Sequence, residues 1–275
     1  MSEPTDSPIR VCLLVDGRTI SEWQHRALQR MVDETAAEIT VVVSNQRTEE
    51  RPPVDTLKRA MELREWTVVW LLRSLAAKPV ALSDPARVDQ QAYCADAEWI
   101  DCKPERVAGW KNRIPAPTVD RIAERADVAI RFGFGFLVGP LLTNLEYGVL
   151  SYHHGDFREY RGQPAGCWEF IHGRNEVGIT LQRVNEQLDA GEAVTIKSVD
   201  IDEAQTYAEI RGRLYAASDD LLATAMANIE DGELGASTVD DLGPLYTIPR
   251  GTPALRFFLK EVKGMGGRLR ESWSI

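Results

Sequence analysis

Residues 9–15 read Ile-Arg-Val-Cys-Leu-Leu-Val and run directly into Asp16-Gly17. An apolar run of this length, stopped by a turn pair, predicts a buried strand. Behind it Ile20, Trp23, Ala27, Leu28 and Met31 recur at helical spacing, and Ile39 to Val43 repeat the apolar run. A strand, a helix and a second strand, with the strands apolar on both faces, predict a parallel sheet covered by helices. The class is therefore α/β and Rossmann-like, a mostly parallel sheet with helices on both faces.

Outward from this unit, Gln46 to Asp55 carries charge and two prolines and reads as a loop. Residues 57–75 predict a helix whose Leu63, Trp66 and Trp70 form a stripe for the core. Trp99 to Cys102 reads as a strand inside an insertion-like region, Ala92 to Trp110. A helix at Val119 to Arg125 and a strand at Val128 to Phe132 lead into a glycine-rich turn, followed by the strand Gly148 to Tyr152. A helix near Gly166 to Ile171 and strands at Gly178 to Val184 and Glu192 to Val199 follow. Thr206 and Glu209 have capping-box spacing at the head of one helix through Ile229, closed by Gly232.

A chain of 275 residues buries a large core without disulfides or metals, and its net charge of −10 argues against a protein that mainly grips phosphate backbones. The charge is uneven. From Tyr246 onward Arg250, Arg256, Lys260, Lys263, Arg268 and Arg270 outnumber Glu261 and Glu271, so residues 233–275 read as a basic helical C-terminal appendage to a catalytic domain at 1–232. Cys12, Cys94, Cys102 and Cys167 form no C-x-x-C pair and read as free thiols of a reducing compartment. Cys94, Asp96, Glu98 and Cys102 match no ligand spacing, so no metal is expected. With no basic leader and no long apolar run, the expected address is cytoplasmic, with no membrane partner. Oligomeric state is not legible.

Ligands of open parallel sheets bind beyond the carboxyl ends of strands, which directs attention to His153 and His154 at the end of the strand from Gly148. Alternation puts Ser151 and His153 on one face and Tyr152 and His154 on the other. Asp189 lies on a loop between two later strands. A carboxylate beside an imidazole suits proton transfer, and the same pairing also occurs as a structural ion pair; the residues alone leave both open.

Four elements in order then carry a resemblance: Gly148-Val-Leu-Ser-Tyr-His153, Tyr160-Arg161-Gly162, Gly178-Ile-Thr180 and Leu188-Asp189-Ala-Gly191. The chain resembles the folate-dependent formyltransferases, including those acting on methionyl-tRNA, glycinamide ribonucleotide and amino sugars, across about residues 127–199. Their pattern is Gly-x-x-Asn-x-His, an Arg-Gly turn, Gly-(Val/Ile)-Thr and Asp-x-Gly. The resemblance implies a formyltransferase fold and transfer of a formyl group from 10-formyltetrahydrofolate, as co-substrate, to an amine. It implies that His153 stabilises or protonates a developing oxyanion and that Asp189 orients it. It also implies that the backbone of Phe134, Gly135, Phe136 and Leu137 holds the pterin while the aromatic rings wall it. One departure stands out: Ser151 occupies the place of the family's asparagine, so a direct or water-mediated Ser151 contact, recruitment of His154 or Asp156, or drifted activity are the alternatives. Asp156 and Arg158, with His154, are candidates for shaping the acceptor pocket.

Only 43 residues follow Gly232, too few for the C-terminal barrel of the tRNA-directed members, and with the acidic balance this favours a small-molecule amine acceptor, such as an amino sugar, over tRNA. Methionyl-tRNA formyltransferase-like activity, hydrolysis of formyltetrahydrofolate, and folate binding with impaired catalysis are the competing readings.

Overall fold

The computed structural model describes residues 7–47, Trp66 and 80–272. The helix expected over 57–75 lies outside the described residues, apart from Trp66, which is buried.

The opening unit forms as expected. β1 (Ile9–Asp16) lies parallel to β3 (Ala37–Asn45), joined through a short strand β2 (Thr19–Ser21) and helix α1 (Glu22–Glu34). Ile20 belongs to β2 rather than to the helix, because Ser21 caps α1: its N–H donates to Gln24 Oε1 at 2.8 Å. β2 pairs with β4 (Pro85–Arg87), and β5 (Glu98–Cys102) adds to β3. The insertion-like region supplies β5 and one further strand, β6 (Glu105–Val107), and β7 (Lys111–Arg113) follows directly after it. Helix α2 (Ala116–Ala123) leads to β8 (Val128–Arg131), followed by β9 (Leu137–Val138), α3 (Leu141–Asn144) and β10 (Val149–His153). After β11 (Arg161–Gly162) and α4 (Cys167–His172), two long strands, β12 (Glu176–Arg183) and β13 (Glu192–Asp200), complete the sheet.

Seven strands lie in the order β13-β12-β10-β8-β1-β3-β5. Five run parallel, β12 runs antiparallel to them, and β13 pairs antiparallel with β12. Alternation along β1 divides the core: Val11, Leu13 and Val15 face one hydrophobic layer, Cys12 and Leu14 the other. The first layer is closed by α1, α5 (Tyr207–Ala216) and α6 (Leu221–Glu230), the second by α2 and α3.

The single helix expected through Ile229 is two helices. Thr206 caps α5 by accepting from Glu209 N at 3.4 Å, and Ala217 to Asp220 break the run before α6. Beyond β14 (Leu245–Tyr246), the basic segment folds as α7 (Thr252–Ser272). Its Phe257 is fully buried against Trp66, Phe170 and Tyr207, and Glu261 accepts from Tyr207 N at 2.8 Å. Leu255 and Leu259 stay exposed, so the buried stripe of α7 is narrower than its apolar residues suggest.

Candidate active site

The sheet order reverses between β1 and β8, the place where open α/β sheets bind ligands. The strand ends there are Asp16, Arg131 and His153. Asp16 accepts from Phe134 N and from Asn45 Nδ2, each at 2.8 Å, and so fixes the turn after β8. Gly133 in that turn has no room for a side chain, since a Cβ would lie 2.5 Å from Asp16 N.

Ser151 and His153 share one face of β10, and both are buried. His153 Nδ1 lies 3.5 Å from Asp189 Oδ1, while Nε2 lies 3.1 Å from the Tyr160 carbonyl. A carbonyl only accepts, which assigns a hydrogen to Nε2 and leaves Nδ1 facing the carboxylate. The second carboxylate oxygen accepts from Gly162 N at 2.8 Å, and Asp189 adopts a left-handed backbone, φ 44°. Non-glycine residues in that region concentrate where geometry is over-determined by function.

The motif elements have physical tasks. Thr180 sits opposite His153 in the β10–β12 register, and its Oγ1 donates to Gly155 O at 2.9 Å. Gly178 leaves space for Asp156, whose backbone N would be 2.7 Å from any Cβ. These contacts set the turn after His153, and the Arg-Gly turn then carries the amide that binds Asp189.

A cleft opens against His153, bounded by Tyr160, Arg161, Gln163, Trp168, Glu169 and Tyr246. Tyr160 and Tyr246 stack with centroids 5.3 Å apart, and Trp168 meets Tyr246 at 4.7 Å. Trp168 Nε1 donates to Thr247 O, and Tyr160 Oη lies 2.9 Å from His172 Nδ1. Burial pushes the Glu169 carboxyl up to about 7, which makes it the cleft's one group near half-ionisation at neutral pH among those whose shift is resolved.

Other expected site residues fall differently. The His154 ring does not join the pair: it packs at 5.0 Å from Trp23 and 5.3 Å from Tyr215, with Nε2 3.0 Å from Ser218 Oγ. Burial draws its pKa down to about 3, with His153 and Arg211 acting in the same sense. Strand alternation sends the ring there, while His154 also borders the cleft. Asp156 and Arg158 pair with each other, Arg158 Nη2 to Asp156 Oδ2 at 2.6 Å; burial opposes ionisation of Asp156, and the bonds from Arg158 outweigh it, leaving the carboxyl below its ordinary value.

The expected aromatic wall is also corrected. The Phe134 ring, expected in that wall, is buried in the second core layer, as is the Leu137 side chain. Phe136 lies against Trp110, centroids 4.7 Å apart. Asn112 on β7 clamps this loop: its Nδ2 donates to Phe134 O and its backbone N to Phe136 O. Among the described residues the amides of Gly135 and Phe136 remain as the loop's open backbone donors, with Gly135 exposed.

Sequence reading missed Asn112, Asp16 and Arg131. Arg131 carried a signal, an arginine ending the apolar run Val128-Ala-Ile130. Its Nη2 donates to Ser151 Oγ at 2.8 Å and its Nη1 to Gly135 O. Among the described residues no cluster of three His, Cys, Asp or Glu side chains is placed to hold a metal, and no helix is long and apolar enough to cross a membrane.

A model of the formyl transferase family matches residues 102–226, extending the resembling stretch on both sides. The methionyl-tRNA formyltransferase of Bacillus subtilis is 27% identical over 126 residues, 46% of this chain and 40% of that protein. The chain thus aligns with well under two thirds of that relative's length. Glycinamide ribonucleotide transformylase 1 from Symbiobacterium toebii superposes with a TM-score of 0.53 at 19% identity, covering 83% of this chain and 90% of that one. A sugar N-formyltransferase from a Shewanella species superposes with a TM-score of 0.56 at 14% identity, covering 93% and 87%. Over residues 102–226 the chain thus matches the formyl transferase family model, and over most of its length its fold is similar to that of these formyltransferases.

Proposed function

We propose that this protein transfers a formyl group from 10-formyltetrahydrofolate to the amine of a small molecule, an amino sugar or a similar compound. The observation that carries the reading is the His153–Asp189 pair, 3.5 Å apart at the C-terminal end of a central strand, on the same strand face as Ser151. Attack of an amine on a formyl carbonyl develops negative charge on oxygen and positive charge on nitrogen, so the site needs a donor and a base within hydrogen-bond reach. Ser151 supplies the donor, and the His153–Asp189 pair receives the amine proton, directly or through water.

10-Formyltetrahydrofolate supplies the formyl carbonyl when bound. The loop after β8 fits a pterin through its open Gly135 and Phe136 amides rather than through aromatic walls, because Asn112, Arg131 and Asp16 already fix the rest of its backbone. The stacked rings of Tyr160, Trp168 and Tyr246, adjoining His153, suit the flat faces of a sugar or base. Arg161 and Gln163 add polar groups at its rim. A small acceptor is therefore favoured over tRNA.

The test is a panel of amines (free and nucleotide-linked amino sugars, glycinamide-like amines and aminoacylated tRNA) incubated with the protein and 10-formyltetrahydrofolate. Release of tetrahydrofolate only with a small amine supports the reading. Release only with tRNA, or equally well without any amine, overturns it in favour of tRNA formylation or hydrolysis.

A further inference from the structure

Arg131 ends β8 beside Ser151 on β10. Ala129 pairs with Val149 and Ile130 with Leu150, so the next rung brings Arg131 and Ser151 together on the face that carries His153. Nη2 donates to Ser151 Oγ at 2.8 Å, and Nη1 holds Gly135 O. Nε is buried with no hydrogen-bond partner, and among the described residues Arg131 makes no ion pair. Arginine keeps its charge in such a place; burial disfavours that charge, and the nearby carboxylates of Asp189 and Asp16 offset the cost only in part.

Resting on the formyl-transfer reading, we propose that Arg131 and Ser151 together replace the asparagine that the formyltransferase pattern has at position 151. The guanidinium occupies a lone pair of Ser151 Oγ, so the hydroxyl hydrogen is directed outward, to the carbonyl oxygen under attack. A charged donor behind the hydroxyl polarises it and strengthens the bond it makes. Ser151 is the group that touches the reacting oxygen; Arg131 is a positioning residue that acts through it.

The step balances as follows. The acceptor nitrogen's lone pair forms the new carbon–nitrogen bond while the carbonyl pair moves onto oxygen, which Ser151 meets. That pair returns as the bond from the formyl carbon to N10 breaks, and the proton lost by the acceptor nitrogen ends on N10. His153 and Asp189 carry the proton between the two nitrogens. Arg131 and Ser151 carry the charge on oxygen.

A purely structural Arg131, tying β10 to the Gly135 loop, makes different predictions. The experiment compares wild type, R131L, S151A and R131L/S151N, using whichever amine of the panel supports wild-type turnover. It measures kcat, KM for 10-formyltetrahydrofolate, affinity for 5-formyltetrahydrofolate as an inert analogue, and the thermal midpoint. R131L is expected to lose kcat by on the order of a hundredfold, the scale of one oxyanion donor, and S151A by a similar factor. In R131L the KM and the analogue affinity stay within about threefold, because Asn112 still holds the Phe134 and Phe136 carbonyls of that loop and Asp16 its Phe134 amide, and the thermal midpoint moves by no more than a few degrees, because a desolvated cation is removed along with its bonds. R131L/S151N recovers at least about tenfold in kcat over R131L, since a carboxamide needs no cation behind it. The proposal is overturned if R131L keeps wild-type kcat, if it loses analogue affinity and thermal midpoint together, or if the double variant gains nothing. Wild-type protein inactive with every amine overturns the formyl-transfer reading itself, and this inference with it, a result distinct from any of these.

Discussion

His153 lies folded over Gly155 so closely that a Cβ on Gly155 would sit 2.6 Å from His153 Nε2 and 2.9 Å from Tyr160 O. The residue two positions after the histidine therefore sets where the imidazole can be. The Thr180 hydroxyl, bonded to the Gly155 carbonyl, holds the arrangement from the neighbouring strand.

Gly155→Ala is expected to move the ring away from Asp189 and Tyr160 and to lower kcat by roughly a hundredfold, as misplacement of a reacting group by about 1 Å does. Circular dichroism with steady-state kinetics checks this. A folded G155A protein with wild-type kcat would show that the ring position is immaterial.

His154 makes the opposite prediction. Its ring lies in the Trp23–Tyr152–Tyr215 cluster, so His154→Phe should retain turnover within about threefold. The folded-state pKa near 3 lies below the ordinary 6.5, so the unfolded chain binds more protons between those values and stability falls as pH falls through that window. The Phe variant should lose up to about 1.4 kcal/mol less per pH unit below 6.5. Urea unfolding of both proteins at pH 7 and pH 5 gives the difference directly. Parallel acid limbs would contradict it.

Glu169 acts on the other side of neutrality. With its carboxyl raised to about 7 by burial, the folded protein binds more protons than the unfolded chain between about 4.5 and 7, so stability declines as pH rises through that range. Glu169→Gln should thus gain on wild type with increasing pH and level off above 7, reaching a few kcal/mol. Chemical denaturation from pH 5 to 8 checks the sign. A constant difference between the two proteins would mean that Glu169 ionises freely.

Much of this was legible in the chain. Alternation along residues 9–15 and 39–43 set the parallel sheet, and the same rule separated Ser151 and His153 from Tyr152 and His154. It also implied that the His154 ring turns away from the His153–Asp189 pair. The Phe134 ring misled because a glycine-rich turn can expose its backbone while burying its side chains, which residue type does not reveal. Arg131 and Asn112 come from other strands, and their meeting with Ser151 and with the Phe134 carbonyl depends on sheet order. The break between α5 and α6 escaped because Ala217 and Leu221 continue the helical spacing across it.

In the proposed function the aromatic cleft is assigned to the acceptor rather than to the formyl donor. Trp168→Ala should raise KM for the small amine by about three- to tenfold, the scale of one aromatic stacking contact, and leave KM for 10-formyltetrahydrofolate unchanged. Steady-state kinetics with each substrate varied in turn checks the split. An equal rise in both would place the donor, not the acceptor, against Trp168.

The His153–Asp189 pair is the centre of the account, and single-turnover transfer tests it most directly. Wild type, His153→Ala and Asp189→Asn are each mixed in excess with 10-formyltetrahydrofolate and a competent amine, and the rate of tetrahydrofolate appearance is followed. Both variants should be slowed by about a hundredfold or more while still binding 5-formyltetrahydrofolate. Wild-type rates in either would show that the chemistry lies elsewhere.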